Sequence, residues 1–293
     1  MLRAPFLAIT LALPFSLGMP AALVAQTPVQ GVQGSVLAQQ SPDVFAVMQA
    51  LQLYDLMAVL SDEGIAAATD LEADMFPGQG GAAWQAVVHG IYSTDQLIAD
   101  MEAALPVDAF TPEMLVTLTD YFTSDVGVRI AQAELETRRA FAQPGVEDMA
   151  NAIHAERRAA GDPRLDMLAT FIAVNDLLER NVVGALNSNF AFYRGLSDGN
   201  AFAVEMPEDL ILAEVWGQEP QIRADAEEWL YSFQLMAYDD LTDPELQSYI
   251  DLSLTPAGQV LNTALFTAFD AVFDRISYEL GQAAAVFVAG EET

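Results

Sequence analysis

Cysteine and lysine are both missing from these 293 residues, and histidine occurs only at positions 89 and 154. Without cysteine there are no disulfides and no thiolate metal sites, so a folded chain must be held by its core. Two isolated histidines, neither in an H-E-x-x-H pattern, leave little to build a zinc or acid–base centre from. Alternation of apolar and polar residues at period two is not sustained anywhere, which argues against strands. All 11 basic residues are arginines, set against 42 acids, for a formal charge of −31. Such a surface repels phosphate backbones and anionic lipid heads, excluding nucleic acid as a partner class. What remains is a docking surface for cationic partners or divalent ions, or a solvated acidic surface adapted to salt, where the Debye length is about 8 Å or less.

The hydrophobic share, 53%, is that of a folded chain rather than a disordered one. Part of it is concentrated at the start. Arg3 precedes FLAITLALPFSLGMPAALVA, apolar, free of acids, and broken by Pro14 and Pro20. This is the pattern of a secretory signal peptide over residues 1–25, cleaved after Ala25, with Val36-Leu37-Ala38 as the alternative site. Residues 26–42 carry no charge and read as a flexible leader. No later stretch is long and apolar enough to span a bilayer, so the expectation is an exported chain with no transmembrane segment after cleavage, periplasmic, or secreted as the alternative.

From Asp43 on, the spacing predicts helix after helix and the fold class all-α. Val44, Val47, Met48, Leu51, Met57 and Leu60 follow helical periodicity in one run, a second helix covers 62–75, and Pro77 to Gly81 break it. Residues 82–105 form a long amphipathic run that ends at Pro106. Thr111 and Pro112 open the next helix and Ser124 the one after, through VRIAQAELETRRAF. Thr242 and Thr255-Pro256 do the same later, the last helix running toward Ala289.

The chain also repeats itself. YFTSDVGVRI (121–130) and LSLTPAGQVL (252–261) align with Gly127 on Gly258, Thr111 on Thr242, Leu115 on Leu246 and Asp120 on Asp251. TFIAVNDLLERNV echoes ALQLYDLMAVL further upstream. This predicts two tandem helical-bundle repeats, 41–160 and 163–290, joined at Gly161-Asp162-Pro163. In each corner a hydroxyl caps a new helix whose third residue is glycine, disfavoured there by ~1 kcal/mol against alanine unless another segment passes too close for a Cβ.

FTPEMLVTLTDYFTSDVGVRI (110–130) resembles the signature of DUF2059, a bacterial domain-of-unknown-function family, in Phe110, Thr111, Leu115, Tyr121, Phe122, Ser124 and Gly127. The second copy keeps Thr242, Glu245, Leu246, Pro256 and Gly258, with Leu252 and Ser253 in place of the aromatic pair. The resemblance implies helical structure and export, and brings no catalytic residue or cofactor.

Motif by motif, chemistry is not found. Gly195-Leu196-Ser197-Asp198-Gly199 matches G-x-S-x-G, but a helical run precedes it where a strand is needed and both histidines come earlier; the glycines read as a helix stop and loop. Asp70 to Asp74 begins like a calcium loop, yet Met75 and Gly81 occupy its glycine and glutamate positions. Asp239 to Glu245 is the densest acidic cluster, explicable as first-turn acids facing a helix dipole. Trp84, Trp216 and Trp229 read as core, or else as the lining of an inter-helix groove for an apolar ligand or a partner helix. No catalytic, cofactor-binding or metal-ligating residue is therefore assigned. The expectation is a non-enzymatic binding or protein-interaction module of the cell envelope, the alternative a carboxylate- or metal-dependent hydrolase.

Overall fold

The computed structural model describes residues 35–202 and 206–289, and 84% of these are helical, without strands. The α-helices are α1 (Val36–Gln40), α2 (Pro42–Ala50), α3 (Leu53–Met75), α4 (Gly81–Ile91), α5 (Thr94–Ala104), α6 (Pro112–Phe122), α7 (Asp125–Phe141), α8 (Val146–Ala160), α9 (Arg164–Val174), α10 (Leu177–Asp198), α11 (Glu208–Trp216), α12 (Glu219–Ala237), α13 (Asp243–Leu254) and α14 (Pro256–Ala289). The all-α reading is thus met. The signal segment lies outside the described residues.

Local chemistry sets most of the helix starts. Thr111 Oγ1 accepts from Met114 N and Ser124 Oγ from Gly127 N, 3.3 and 3.2 Å away. Thr242 and Glu245 form a reciprocal capping box. Three boundaries differ from the periodicity: the amphipathic run expected over 82–105 is interrupted at Tyr92 and Ser93, between α4 and α5. The run expected from 43 to 60 breaks at Gln52, whose φ of 56° ends α2, and α3 then continues unbroken past residue 61. Asp176, with φ 53°, makes the same left-handed break between α9 and α10.

The uncharged stretch expected to be flexible is helical at its end. Ser35 caps α1, its hydroxyl donates to Glu102 Oε1 at 2.6 Å, Leu37 N donates to Glu102 Oε2 at 3.3 Å, and the Leu37 side chain is buried. A charge-free sequence says nothing of a carboxylate arriving from α5.

The two halves share one core. Its largest cluster joins Met48, Met57, Trp84 and Leu118 from the first half to Phe192, Leu261, Val272 and Leu280 from the second. The cause is α14, about 50 Å long at 1.5 Å per residue. It lies parallel to α10, Gly184 facing Asp270, Gly195 facing Gly281 and Gly199 facing Ala285. It also packs on α4, α5 and α6 of the other half, where Phe287 stacks on Phe76 with ring centroids 5.2 Å apart. In return α7 packs on α12, with Phe141 against Phe233 at 5.5 Å. The helix that follows the capped corner in each half, α7 and α14, therefore rests on the other half's helices.

Among the described residues no single helix is long and apolar enough to cross a membrane; α2 and α3 reach that composition only together and are bent by 60° at their junction.

Candidate interaction surface

α11 is a short helix set by its flanks. Pro207 precedes it, Glu208 and Asp209 sit in the first turn where the helix dipole favours acids, and Gly217 follows it. Its inner side is anchored by Ile211 and Val215, buried against Val182, Leu186 and Ile222. The outer side is apolar as well. Leu210 is 57% exposed, Leu212 40% and Trp216 62%. Taken round the helix at 100° per residue, the open side runs Leu212, Trp216, Asp209, Ala213, Leu210, with Glu208 beyond Leu212 and Glu214 beyond Leu210, so three acids are interleaved with its apolar side chains. Large apolar side chains on the open side of a helix whose packed side is already anchored are a candidate for further cover.

α4 shows that this is a property of α11 and not of such helices in this chain. Trp84 and Val88 are its buried anchors, spaced like Ile211 and Val215. The positions that correspond to Leu210, Leu212 and Trp216 are Ala83, Gln85 and His89. At these three positions the first half has small and polar side chains where the second has leucine and tryptophan, although α4 leaves Val87 40% exposed.

The electrostatic setting is one-sided. Glu208, Asp209 and Glu214 lie on α11 itself, and none forms an ion pair among the described residues. The cations are occupied elsewhere. Arg129, Arg138, Arg157, Arg164, Arg180, Arg223 and Arg275 are all in ion pairs, most of them between helices. Arg223 on α12 is held by Glu179 and Glu219. The acid excess is left to the surface.

Two places bring acids together inside. Glu134 of α7 accepts a hydrogen bond from the Tyr238 hydroxyl at 2.6 Å and another from Tyr249. Burial pushes the Glu134 carboxyl up and the two tyrosines pull it partly back. Burial and the Glu134 charge hold Tyr238 and Tyr249 well above the usual phenol range. The group ties α7, α12 and α13 together. On α14, burial raises Asp270 and Asp274; the Asp274 charge raises Asp270 further and Arg180 lowers it. A Cβ on Gly184 would stand 3.0 Å from Asp270 Oδ1, so α10 already fills the space in front of that carboxylate.

The motifs weighed in the sequence fall as follows. Gly195 is not a helix stop: α10 runs through it to Asp198, because α14 passes where its side chain would be. Asp70 to Asp74 lies within α3 and forms no loop. The Asp239–Glu245 cluster meets arginines, Asp239 pairing with Arg157 at 2.9 Å, Asp243 with Arg164 and Glu245 with Arg129. His89 is exposed, whereas His154 is buried and stacks on Tyr231 with centroids 5.1 Å apart. Burial, then the charge of Arg158, lowers the His154 pKa. Trp84 is core and Trp229 stacks on Phe233 beneath the Arg138 guanidinium. Trp216, whose amphipathic context reads as core or as the lining of an inter-helix groove, is not core, and no described element covers it. Leu210 and Leu212 were missed, since periodicity cannot tell an apolar position that is packed from one that is left open. Among the described residues no three His, Asp or Glu side chains converge as a metal site requires.

No family model, no curated protein and no solved structure matches the chain at a significant level.

Proposed function

We propose that the chain is an exported, non-enzymatic binding module of the cell envelope, periplasmic in location, which presents a helix face to a protein partner. The observation that carries this is α11, which leaves Leu210, Leu212 and Trp216 exposed away from its packed side, Trp216 at 62%. Isolated exposed apolar residues are ordinary, but three on one nine-residue helix form a patch of the kind that partners cover. The signal-like residues 1–25 and the resemblance to DUF2059 favour export. Matching left-handed breaks at Gln52 and Asp176, and matching capped corners at Ser124 and Thr255, favour two divergent copies of one helical module, 41–160 and 163–290. A hydrolase reading would rest on Asp270 and Asp274, whose carboxyls burial raises together.

Native mass spectrometry of the mature protein, purified gently from the envelope of its own host, tests the proposal. A complex with a second polypeptide is the expected result. A bare monomer at the calculated mass, together with no retained partner after cross-linking in intact cells, would count against it.

A further inference from the structure

The open side of α11 has three possible coverings, and they differ in charge. A second copy of this chain would bring Glu208, Asp209 and Glu214 against another acidic surface, with no lysine in either copy and most arginines already paired. An anionic bilayer would meet the same acids from its own negative side. A segment with one apolar and one basic side would bury the exposed leucines and tryptophan while neutralising the carboxylates around them. Only the third removes the apolar surface from water without stacking like charges.

We infer that the outer face of α11 binds a cationic amphipathic segment of another protein. Its apolar side chains lie on Leu210, Leu212 and Trp216, and its arginines or lysines reach Glu208, Asp209 and Glu214. Tryptophan is among the residue types that most often dominate binding energy, and an amphipathic helix laid on an apolar surface is a common mode of peptide recognition. The acids steer the approach, so association should slow and weaken as salt rises. This rests on the binding-module reading and adds to it the place and the chemical class of the partner.

The probe is a labelled amphipathic helical peptide of leucine and arginine, titrated into the full mature protein by fluorescence anisotropy. Its counterpart carries glutamate for arginine, and vesicles of phosphatidylcholine and of phosphatidylglycerol serve as lipid controls. The variant Leu212→Ser/Trp216→Ser removes the patch, and Glu113→Gln on α6 removes an unrelated surface acid. Both side chains of the double variant are exposed, and its melting temperature checks that the fold is kept. The arginine peptide should bind, weaken with salt, shield Trp216 from acrylamide, and lose about tenfold or more in affinity to the double variant while Glu113→Gln changes little. Equal binding to the double variant would place the peptide elsewhere on the acidic surface, overturning the role of α11 while the binding-module reading stands. Preference for the glutamate peptide or for vesicles would overturn the cationic class. No binding of any probe would overturn the inference, and the native mass measurement would then decide separately whether the wider reading survives.

Discussion

Gly195 of α10 and Gly281 of α14 meet backbone to backbone. A Cβ on Gly195 would stand 3.0 Å from the Gly281 Cα, and a Cβ on Gly281 3.1 Å from the Gly195 Cα. Each would also fall onto a carbonyl oxygen of the opposite helix, Tyr278 or Phe192. Parallel packing of α10 on α14 depends on this approach, and through α14 it positions the core shared by both halves.

Alanine at either position should therefore cost about 3 kcal/mol, overriding the helix propensity it adds. The double variant should cost less than the two singles together, because the first alanine already separates the helices. Urea unfolding of the four proteins measures this; a gain in stability from either alanine would show the crossing to be loose.

At the corners, a Cβ on Gly127 would meet the Tyr121 carbonyl and one on Gly258 the Leu252 carbonyl. Backbone cannot step aside as a side chain can, so Gly127→Ala and Gly258→Ala should both destabilise. Ser124→Ala and Thr255→Ala should each lose about 1 kcal/mol with the cap. Similar losses at the two corners, read from chemical unfolding, are expected; a large loss at one corner alone would contradict their common geometry.

Arg138 donates to both Glu63 oxygens, Nε to Oε1 at 2.9 Å and Nη2 to Oε2 at 2.5 Å, with side chains only 10% and 16% exposed, and its guanidinium lies 5.6 Å from the Trp229 ring centroid. Glu63→Ala strands a buried cation and should cost about 3 kcal/mol. Glu63→Leu/Arg138→Met should recover most of that loss. A thermal-denaturation cycle with no recovery would mean that the pair is worth more than its desolvation.

Glu134 carries the pH prediction. Its folded pKa is raised above the ordinary 4.5, so the unfolded chain ionises first as pH rises. The stability that the protonated carboxyl contributes is full below about pH 4.5 and lost as pH climbs through the folded value. Glu134→Gln cannot ionise, so its stability relative to wild type should be highest at neutral pH and fall as the pH drops toward 4.5. Melting temperatures across that window measure the difference; a difference independent of pH would remove the charge of Glu134 from the account.

Ser35 and Leu37 bind Glu102 and the core, so cleavage after Ala38 would discard the cap and the anchor of α1. The mature chain is expected to begin at Gln26, as N-terminal sequencing of the exported protein would show. A start at Gln39 with an unchanged melting temperature would overturn this.

Much of the helix map was legible because its signals are local. A hydroxyl bonding an N–H three residues on requires only its own neighbours, which is why Thr111, Ser124 and Thr255 mark helix starts in sequence as in space. The left-handed residues Gln52 and Asp176 were not legible, since neither is a glycine and helical periodicity runs through both. The exposed side of α11 was half legible: Trp216 shares the periodic context of Trp84, and that context fits core and groove lining alike.

What the sequence by itself determined is the all-α class, the capped helix starts, the lack of disulfides and the sign of the surface, all consequences of residue type and short-range bonding. Tertiary structure alone decided that α14 would cross to the other half, that Gly195 and Gly281 would touch, and that Trp84 would be sealed while Trp216 faced out. Burial is set by which distant element arrives at a surface, and that is a property of the whole packing and not of any one helix.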